Sequence, residues 1–252
     1  MKKILTLAWT TYQELIRAKF FFVGIIFALI LVTLSYLLGN LSFEEEKRIL
    51  FNLGSSGIEF VTIGLGLFAG ATLVSKEIEL RTCQIILTRP LSRSHFLLGK
   101  WLGLVLFIFV ILFGLSILVQ ALGGGAFQKP AFIVIMSQIM LKAIVVMSCV
   151  FLVSLFLRPV LSALLGITIY LVGHSLSDIR FFFKKGTGEV PMAFEVFSNS
   201  FPRFDTFNWK SFYFIEKGIP EGQASLMVGH FVAWIVLCLA ISLLSWRKKD
   251  IG

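Results

Sequence analysis

The sequence has few charged residues. Charged side chains make up 15% of its 252 residues and hydrophobic ones 57%, whereas a soluble domain carries about 25% charged residues. A soluble globule of this size lacks the polar surface to cover so much apolar area. The same hydrophobicity excludes a disordered or collagen-like chain. The composition therefore predicts an all-α integral membrane protein.

Residues for catalysis and for cofactor binding are also scarce. The three cysteines, Cys83, Cys149 and Cys238, lie far apart and show no spacing typical of a metal or redox motif. No Gly-x-x-x-x-Gly-Lys-[Ser/Thr] motif occurs, because Gly99-Lys100 lacks the earlier glycine and is followed by Trp101. We therefore predict no catalytic, cofactor or metal site, and any ATPase must be a separate subunit.

Long apolar runs account for about half of the chain. A helix that crosses the hydrocarbon core needs about 20 apolar residues. Six runs have about this length: 20–39, 58–75, 101–122, 131–157, 160–177 and 225–246. The first run is preceded by 19 residues and followed by no small-residue cleavage site, so it is not a secretion signal. An even number of spans predicts that both termini lie on the same side of the membrane.

The charges between the runs predict the orientation. With both termini in the cytoplasm, the inner segments carry 13 basic and 4 acidic residues, and the outer segments carry 9 basic and 10 acidic residues when Glu59, at the edge of the second run, is counted with them. The positive-inside rule therefore favours cytoplasmic termini. The net charge is +9. Because the charged residues lie between apolar runs, they indicate a membrane surface as the partner and not nucleic acid.

The chain is predicted to form a single transmembrane domain, residues 1–252, with three distinct segments outside the spans. The pattern of residues 1–19 predicts an amphipathic helix on the cytoplasmic membrane surface. The alternative is a solvated tail. Residues 40–57 read as a short outer loop. Residues 178–224 form a Phe-rich outer loop, for which we expect helices that lie in the membrane interface or dip into it.

The cytoplasmic loop 76–100 carries the most specific pattern. Its first part can form a short helix that ends before Pro90, since the residue before a proline avoids the helical region. Ser92 or Ser94 can then cap a second helix that runs into the third span. The first helix mixes charged and apolar residues, so it could rest on the bilayer or dock into a cytoplasmic partner.

This loop resembles the corresponding stretch of the ABC-2 type family of ABC-transporter permeases. The matching residues, in family order, are Glu77, Glu79, Thr82, the run 85–87, Pro90, Ser92, Arg93, Gly99 and Lys100. The glycine that usually precedes the threonine is replaced by Arg81. A second stretch, 201–208, looks like the last outer loop of the subfamily associated with multicopper-enzyme maturation. The six-span layout is similar along the whole chain.

The resemblance implies a function and partners. In the family this loop forms a coupling helix that sits in a cleft of the ATP-binding subunit, so we expect Glu77, Glu79, Thr82, Pro90, Arg93 and Lys100 to couple the chain to an ABC ATPase. It also implies a second permease subunit, identical or not, and a bacterial inner membrane. An exporter is the leading hypothesis. The alternatives are a self-contained channel or secondary transporter, or a membrane-embedded enzyme.

A few single residues have open interpretations. Lys142 lies within the fourth apolar run, where it is either paired and functional or, as we favour, snorkels to the outer surface from the end of an interfacial segment. Gly66 and Gly70 allow close helix packing, inside the subunit or at a dimer seam. His174 and His230 lie near the outer ends of spans and could meet, but two histidines do not define a metal site.

Overall fold

The structure, a computed structural model, describes residues 2–40, 46–79, 92–123, 129–187, 190–205, 208, 210 and 221–248. These residues form eight α-helices and no strand. The helices are α1 (Lys2–Ile16), α2 (Lys19–Asn40), α3 (Glu46–Glu79), α4 (Arg93–Leu122), α5 (Lys129–Ser154), α6 (Pro159–Thr187), α7 (Met192–Ser200) and α8 (Glu221–Lys248).

The six predicted spans are confirmed. Helices α2 to α6 and α8 are each long and apolar enough to cross a membrane. The candidate spans are Phe21–Gly39, Lys47–Ile78, Arg93–Leu122, Pro130–Ser154, Pro159–Gly186 and Ser225–Trp246. The prediction of an all-α membrane protein with six transmembrane helices is therefore correct.

Helices α3 and α5 form the centre of the bundle. α3 packs against α2, α4, α5 and α6, and α5 packs against α3, α4, α6 and α8. Most of α3 and α5 is buried, whereas most of α2, α6 and α8 is exposed. Because α3 and α5 are buried and contact several other helices, they form the core against which the peripheral helices pack.

The peripheral helices expose large apolar side chains. On α2, Ile26 is 59% exposed and Ile30 is 57% exposed; Val160 on α6 reaches 71%. A monomeric soluble protein rarely exposes continuous apolar faces of this kind, because water penalises them. Lipid tails carry no such penalty, so the exposed faces agree with a bundle surrounded by a bilayer.

The first described helix, α1, and the C-terminal part of the last, α8, lie at the same end of the bundle. α1 packs against the start of α4, where a Cβ atom on Gly99 would lie 2.7 Å from Leu7 Cδ2. Near the other terminus, the ring of Trp246 stacks on Phe96 of α4 at a centroid distance of 6.1 Å. We call this end of the bundle the inner end, and the opposite end the outer end.

Two predicted boundaries are wrong because apolar length underestimates helix length, whereas the predicted start of the helix before the third span is confirmed. Residues 46–57, assigned to the outer loop 40–57, belong to α3, and Leu50 and Phe51 are buried. α4 begins at Arg93, where the predicted cap Ser92 accepts a hydrogen bond from the backbone N–H of His95 at 3.3 Å. α6 continues to Thr187 into the predicted outer loop, which also contains α7.

Candidate functional site

A buried lysine joins three helices at the inner end. Lys100, near the start of α4, lies with its Nζ atom 3.2 Å from Glu14 Oε2 on α1 and 2.6 Å from Glu77 Oε1 on α3. Only 5% of the Lys100 side chain is exposed, against 58% for Glu14 and 13% for Glu77. We call Lys100, Glu14 and Glu77 the inner cluster. It links the N-terminal helix to both flanks of the predicted coupling loop.

Two glycines let α1 approach this site. A Cβ atom on Gly103 would lie 2.8 Å from the carbonyl oxygen of Ala8 and 2.6 Å from Thr11 Cβ. Together with the close contact of Leu7 on Gly99, this places α1 directly against the backbone of α4. Gly99 and Gly103 were not predicted as a packing motif, although glycines four residues apart are the sequence pattern that allows close helix packing.

The inner end of α3 is also tied to the turn between α5 and α6. The hydroxyl of Ser75 lies 2.9 Å from the carbonyl oxygen of Ser154 and 3.1 Å from that of Leu157. Carbonyl groups at the end of a helix have no partner within the helix. Ser75 therefore satisfies such groups and fixes the end of α3 against α5.

The structure describes only part of the predicted coupling loop. Glu77 and Lys100 are brought together in one ion pair, and Arg93 is exposed at the first position of α4. Glu79 is the last residue of α3. Thr82 and Pro90 lie outside the described residues. The coupling role of these six residues stays a prediction.

A second ion cluster is buried midway along α3 and α5, further from the inner end than the first. Glu59 on α3 lies with its Oε1 atom 3.0 Å from Lys142 Nζ on α5, and its Oε2 atom forms an ion pair with Lys210. The Nζ atom of Lys210 also donates to Ser56 Oγ at 3.3 Å. The side chains of Lys142, Glu59 and Lys210 are 0%, 8% and 10% exposed. We call Glu59, Lys142 and Lys210 the outer cluster.

The favoured interpretation of Lys142 is wrong. α5 is one continuous helix over Lys129–Ser154, so no interfacial segment precedes Lys142. Lys142 does not reach the surface but ends in the ion pair with Glu59. An isolated lysine within the bilayer costs about 2.5–3.5 kcal/mol on insertion scales, which explains why this one is paired.

Residues near the outer cluster add further charges. The Oδ2 atom of Asp205 lies 3.8 Å from a guanidinium nitrogen of Arg203. Both carboxylate oxygens of Asp205 are buried and accept no hydrogen bond from the residues that the structure describes. Sequence reasoning missed Lys210 and Asp205, because the long outer loop carries no periodicity that predicts which of its residues fold back between the helices.

The glycines of α3 that were predicted to support packing contact helices of the same subunit. A Cβ atom on Gly66 would lie 3.0 Å from Ile108 Cδ1 on α4, and one on Gly70 would lie 3.3 Å from the backbone oxygen of Met147 on α5. Of the two readings left open for these glycines, the structure therefore places them in packing within the subunit.

Two cysteines that are distant in sequence are neighbours in the fold. Cys149 on α5 and Cys238 on α8 are both buried and free, and their Sγ atoms lie 3.6 Å apart. Their separation of 89 residues gave no motif in the sequence. The contact adds to the packing of α8 on α5.

The histidines take separate partners. His174 stacks on Tyr170 with a centroid distance of 5.9 Å, and His230 lies with Nε2 3.2 Å from the carbonyl oxygen of Phe201. Within the described part of the chain, no group of three or more His, Cys, Asp or Glu side chains is placed to hold a metal ion.

The geometry is thus that of an apolar bundle with one ion cluster at the inner end and one midway along the central helices, and comparison with known families adds the identity of the chain. A family model described as ABC-2 family transporter protein matches residues 5–251. The chain belongs to the ABC-2 family of transporter proteins. It is therefore a multi-pass membrane protein and a permease subunit of an ABC transporter, a class that works with an ABC ATPase. Among curated proteins no match is found.

Proposed function

We propose that this ABC-2 permease subunit is an exporter component that couples ATP hydrolysis in a separate ATPase subunit to substrate movement. The observation that carries the proposal is the inner cluster. Lys100 on α4 binds Glu14 on α1 and Glu77 on α3, and so joins three helices at the two flanks of the predicted coupling loop. A force applied to that loop would act on three helices at once, because the ion pairs and the close α1–α4 contact join them.

A second permease subunit is part of this proposal. One stripe on the otherwise buried helix α3 is open: Leu53, Phe60 and Phe68 are 44%, 64% and 49% exposed. Their spacing of seven and eight residues puts them on one face of the helix. Gly64 lies on the same stripe, and a Cβ atom there would meet nothing within 4 Å. We propose that this stripe is the interface with a second copy of the chain or with a related subunit.

The orientation in the proposal places the inner end in the cytoplasm of a bacterium. The charge counts of the connecting segments support it, and α1 and the C-terminal part of α8 lie at the inner end. Single cysteines at Arg158, on the short turn at the inner end, and at Met192, which is 81% exposed, would test it in a cysteine-free chain. We expect an impermeant thiol reagent to label only Met192→Cys in intact cells, and the reverse pattern would refute the orientation.

Two matched charge reversals test the coupling role. Arg93 and Arg158 are both exposed arginines at the inner end, but only Arg93 belongs to the predicted coupling loop. We expect Arg93→Glu to reduce co-purification of the ATPase and its stimulation by the permease, and Arg158→Glu to leave both unchanged. Equal behaviour of the two variants would contradict the assignment.

The alternative is a self-contained channel or secondary transporter. The outer cluster favours it, since such proteins use ionisable residues within the membrane. Family membership opposes it. Reconstitution of the chain with and without its ATPase distinguishes the two functions, because transport that persists without the ATPase would support the alternative.

A further inference from the structure

We propose that a groove between the outer halves of α4 and α5 binds one acyl chain of a membrane lipid. We call it the lateral groove. It has a volume of about 860 Å³ and is lined by residues within 109–121 of α4 and 132–140 of α5. Because α4 begins and α5 ends at the inner end, these residues lie in the outer half of both helices. The proposal concerns the chain itself and does not rest on the proposed function.

The lateral groove is closed toward the inner end. The indole N–H of Trp101 on α4 donates to Ser148 Oγ on α5 at 3.0 Å and joins the two helices. The groove begins at Phe109 and Met140, each eight residues further out than the residue of its own helix in this bond. At 1.5 Å per residue, this distance is about 12 Å on either helix.

Helix α3 closes the back of the groove. The ring of Phe51 on α3 contacts that of Phe132 on α5 at a centroid distance of 6.3 Å. On the other side, a Cβ atom on Gly54 of α3 would lie 3.3 Å from Val119 Cγ1 on α4. Toward the outer end, α4 and α5 are thus both held by α3 while a space separates them from each other.

The front of the groove opens to the surroundings of the bundle. Its floor contains buried side chains such as Leu112 and Met136. Its rim is exposed and apolar, with Phe113 and Ile117 on α4 and Ile133 on α5. The rim therefore continues the exposed apolar surface of the peripheral helices, which agrees with contact to lipid tails.

The chemistry of the lining selects an apolar occupant. Among the described residues that line the groove, none is charged. Two of the polar ones bond within their own helix: Ser116 Oγ donates to the Leu112 carbonyl at 2.6 Å, and Ser137 Oγ donates to the Val134 carbonyl at 2.7 Å. Water finds few partners in such a space. An empty space would cost the lining its dispersion contacts, so an acyl chain from the bilayer is the occupant that fits.

The dimensions match one leaflet. From residue 109 to residue 121 the groove follows α4 for about 18 Å, and half of a hydrocarbon core of about 30 Å is about 15 Å. Gln120 lines the outer end, and Met140 lines the inner one. We therefore place the headgroup near Gln120 and the methyl end of the chain near Phe109 and Met140. A chain enclosed on three sides makes more dispersion contacts than one on a flat helix face.

The test uses a photoactivatable lipid as the probe. The chain would be placed in phosphatidylcholine nanodiscs that contain a small share of phosphatidylcholine with a diazirine near the methyl end of one acyl chain. After illumination, the labelled residues are mapped by peptide mass spectrometry. This measurement needs no ATPase and no variant.

We expect labelling near Phe109 and Met140 to exceed that of the exposed face of α2, at Ile26 and Ile30, about tenfold, which is equivalent to about 1.4 kcal/mol. With the diazirine moved close to the ester group, the label should shift toward Gln120. Equal labelling of the lateral groove and of α2 would show ordinary lipid contact only and overturn the proposal.

Two matched substitutions test whether the groove itself holds the lipid. Ser137 and Ser177 are both exposed serines within spans, 17 residues from the inner end of α5 and 18 residues from that of α6. Only Ser137 lines the groove. We expect Ser137→Trp, which fills the groove, to reduce its labelling to the level of α2, and Ser177→Trp to leave it unchanged. The same response to both substitutions would contradict a specific site.

A second copy of the chain is the competing occupant. The exposed residues of α3 proposed as the subunit interface, Leu53, Phe60 and Phe68, do not line the lateral groove, so lipid and partner can be bound together. Ser137→Cys in a chain with Cys83→Ser, Cys149→Ala and Cys238→Ala would be treated with a bifunctional maleimide. We expect no cross-linked dimer, and efficient cross-linking would assign the groove to the second copy and overturn the proposal.

Discussion

The two ion clusters of this ABC-2 permease use the same residue types in opposite ratio. At the inner end one ammonium group, Lys100, lies between two carboxylates, and one of these, Glu14, is 58% exposed. In the outer cluster one carboxylate, Glu59, lies between two ammonium groups, and no side chain is more than 10% exposed. An exposed partner can return to water, whereas a buried one cannot. The outer cluster therefore depends on Glu59 far more than the inner cluster depends on Glu14.

The largest effect in this comparison is expected for Glu59→Gln. The substitution leaves Lys142 and Lys210 buried without an anion between them, which typically costs about 3–5 kcal/mol. We expect a strong loss of folded protein, measured by denaturation in mixed detergent and SDS.

Adding Lys142→Met to Glu59→Gln removes one of the two unpaired buried cations and should restore part of that stability. A stable Glu59→Gln variant would show that the cluster is more hydrated than its burial indicates.

A smaller loss of stability is expected when α1 is displaced from the inner cluster. Gly103→Ala places a methyl group against the backbone of Ala8, and overpacking of this kind costs about 1–3 kcal/mol. Gly114→Ala on the same helix is the control, since a Cβ atom there meets nothing within 4 Å. We expect lower stability and faster proteolysis of α1 for Gly103→Ala only, and an equal response of both glycines would contradict the close contact.

The two acids of the inner cluster should differ from each other. Glu77→Gln leaves the buried Lys100 with only the exposed Glu14, and we expect a loss of about 1–3 kcal/mol, typical of a weakened buried charged hydrogen bond. Glu14→Gln removes a largely exposed partner and should cost about 0–1 kcal/mol. Denaturation of the two variants under identical conditions checks the order, and a larger effect of Glu14→Gln would invert the roles assigned here.

The smallest effect is expected for Lys142→Met. It leaves Glu59 paired with Lys210, fills a similar volume with an apolar side chain and removes the excess positive charge. Replacement of buried ionic groups by apolar ones is often neutral, so we expect stability within about 1 kcal/mol of the native protein. A loss as large as that of Glu59→Gln would mean that Lys142 contributes more than charge compensation.

Much of the fold could be predicted from local properties. The six spans and the cap at Ser92 were correct, because hydropathy and capping depend on residues close together in the chain. The beginning of α3 at Glu46 was missed because charged residues such as Lys47 end an apolar run but do not end a helix. The fixed position of Lys142 was also missed, since its partner Glu59 is 83 residues away in sequence.

The sequence by itself determined that the chain is a membrane protein, how many helices cross the membrane, and which segment resembles a coupling loop. These properties depend on the hydropathy and the pattern of residues that are close together in the chain, so they can be predicted without knowing which helices contact each other. Only the tertiary structure decided that Lys100 joins three helices, that Glu59 holds two lysines, and that Lys210 belongs to the interior. Each of these contacts depends on helices from distant parts of the chain packing side by side, and that arrangement fixes which buried charges find a partner.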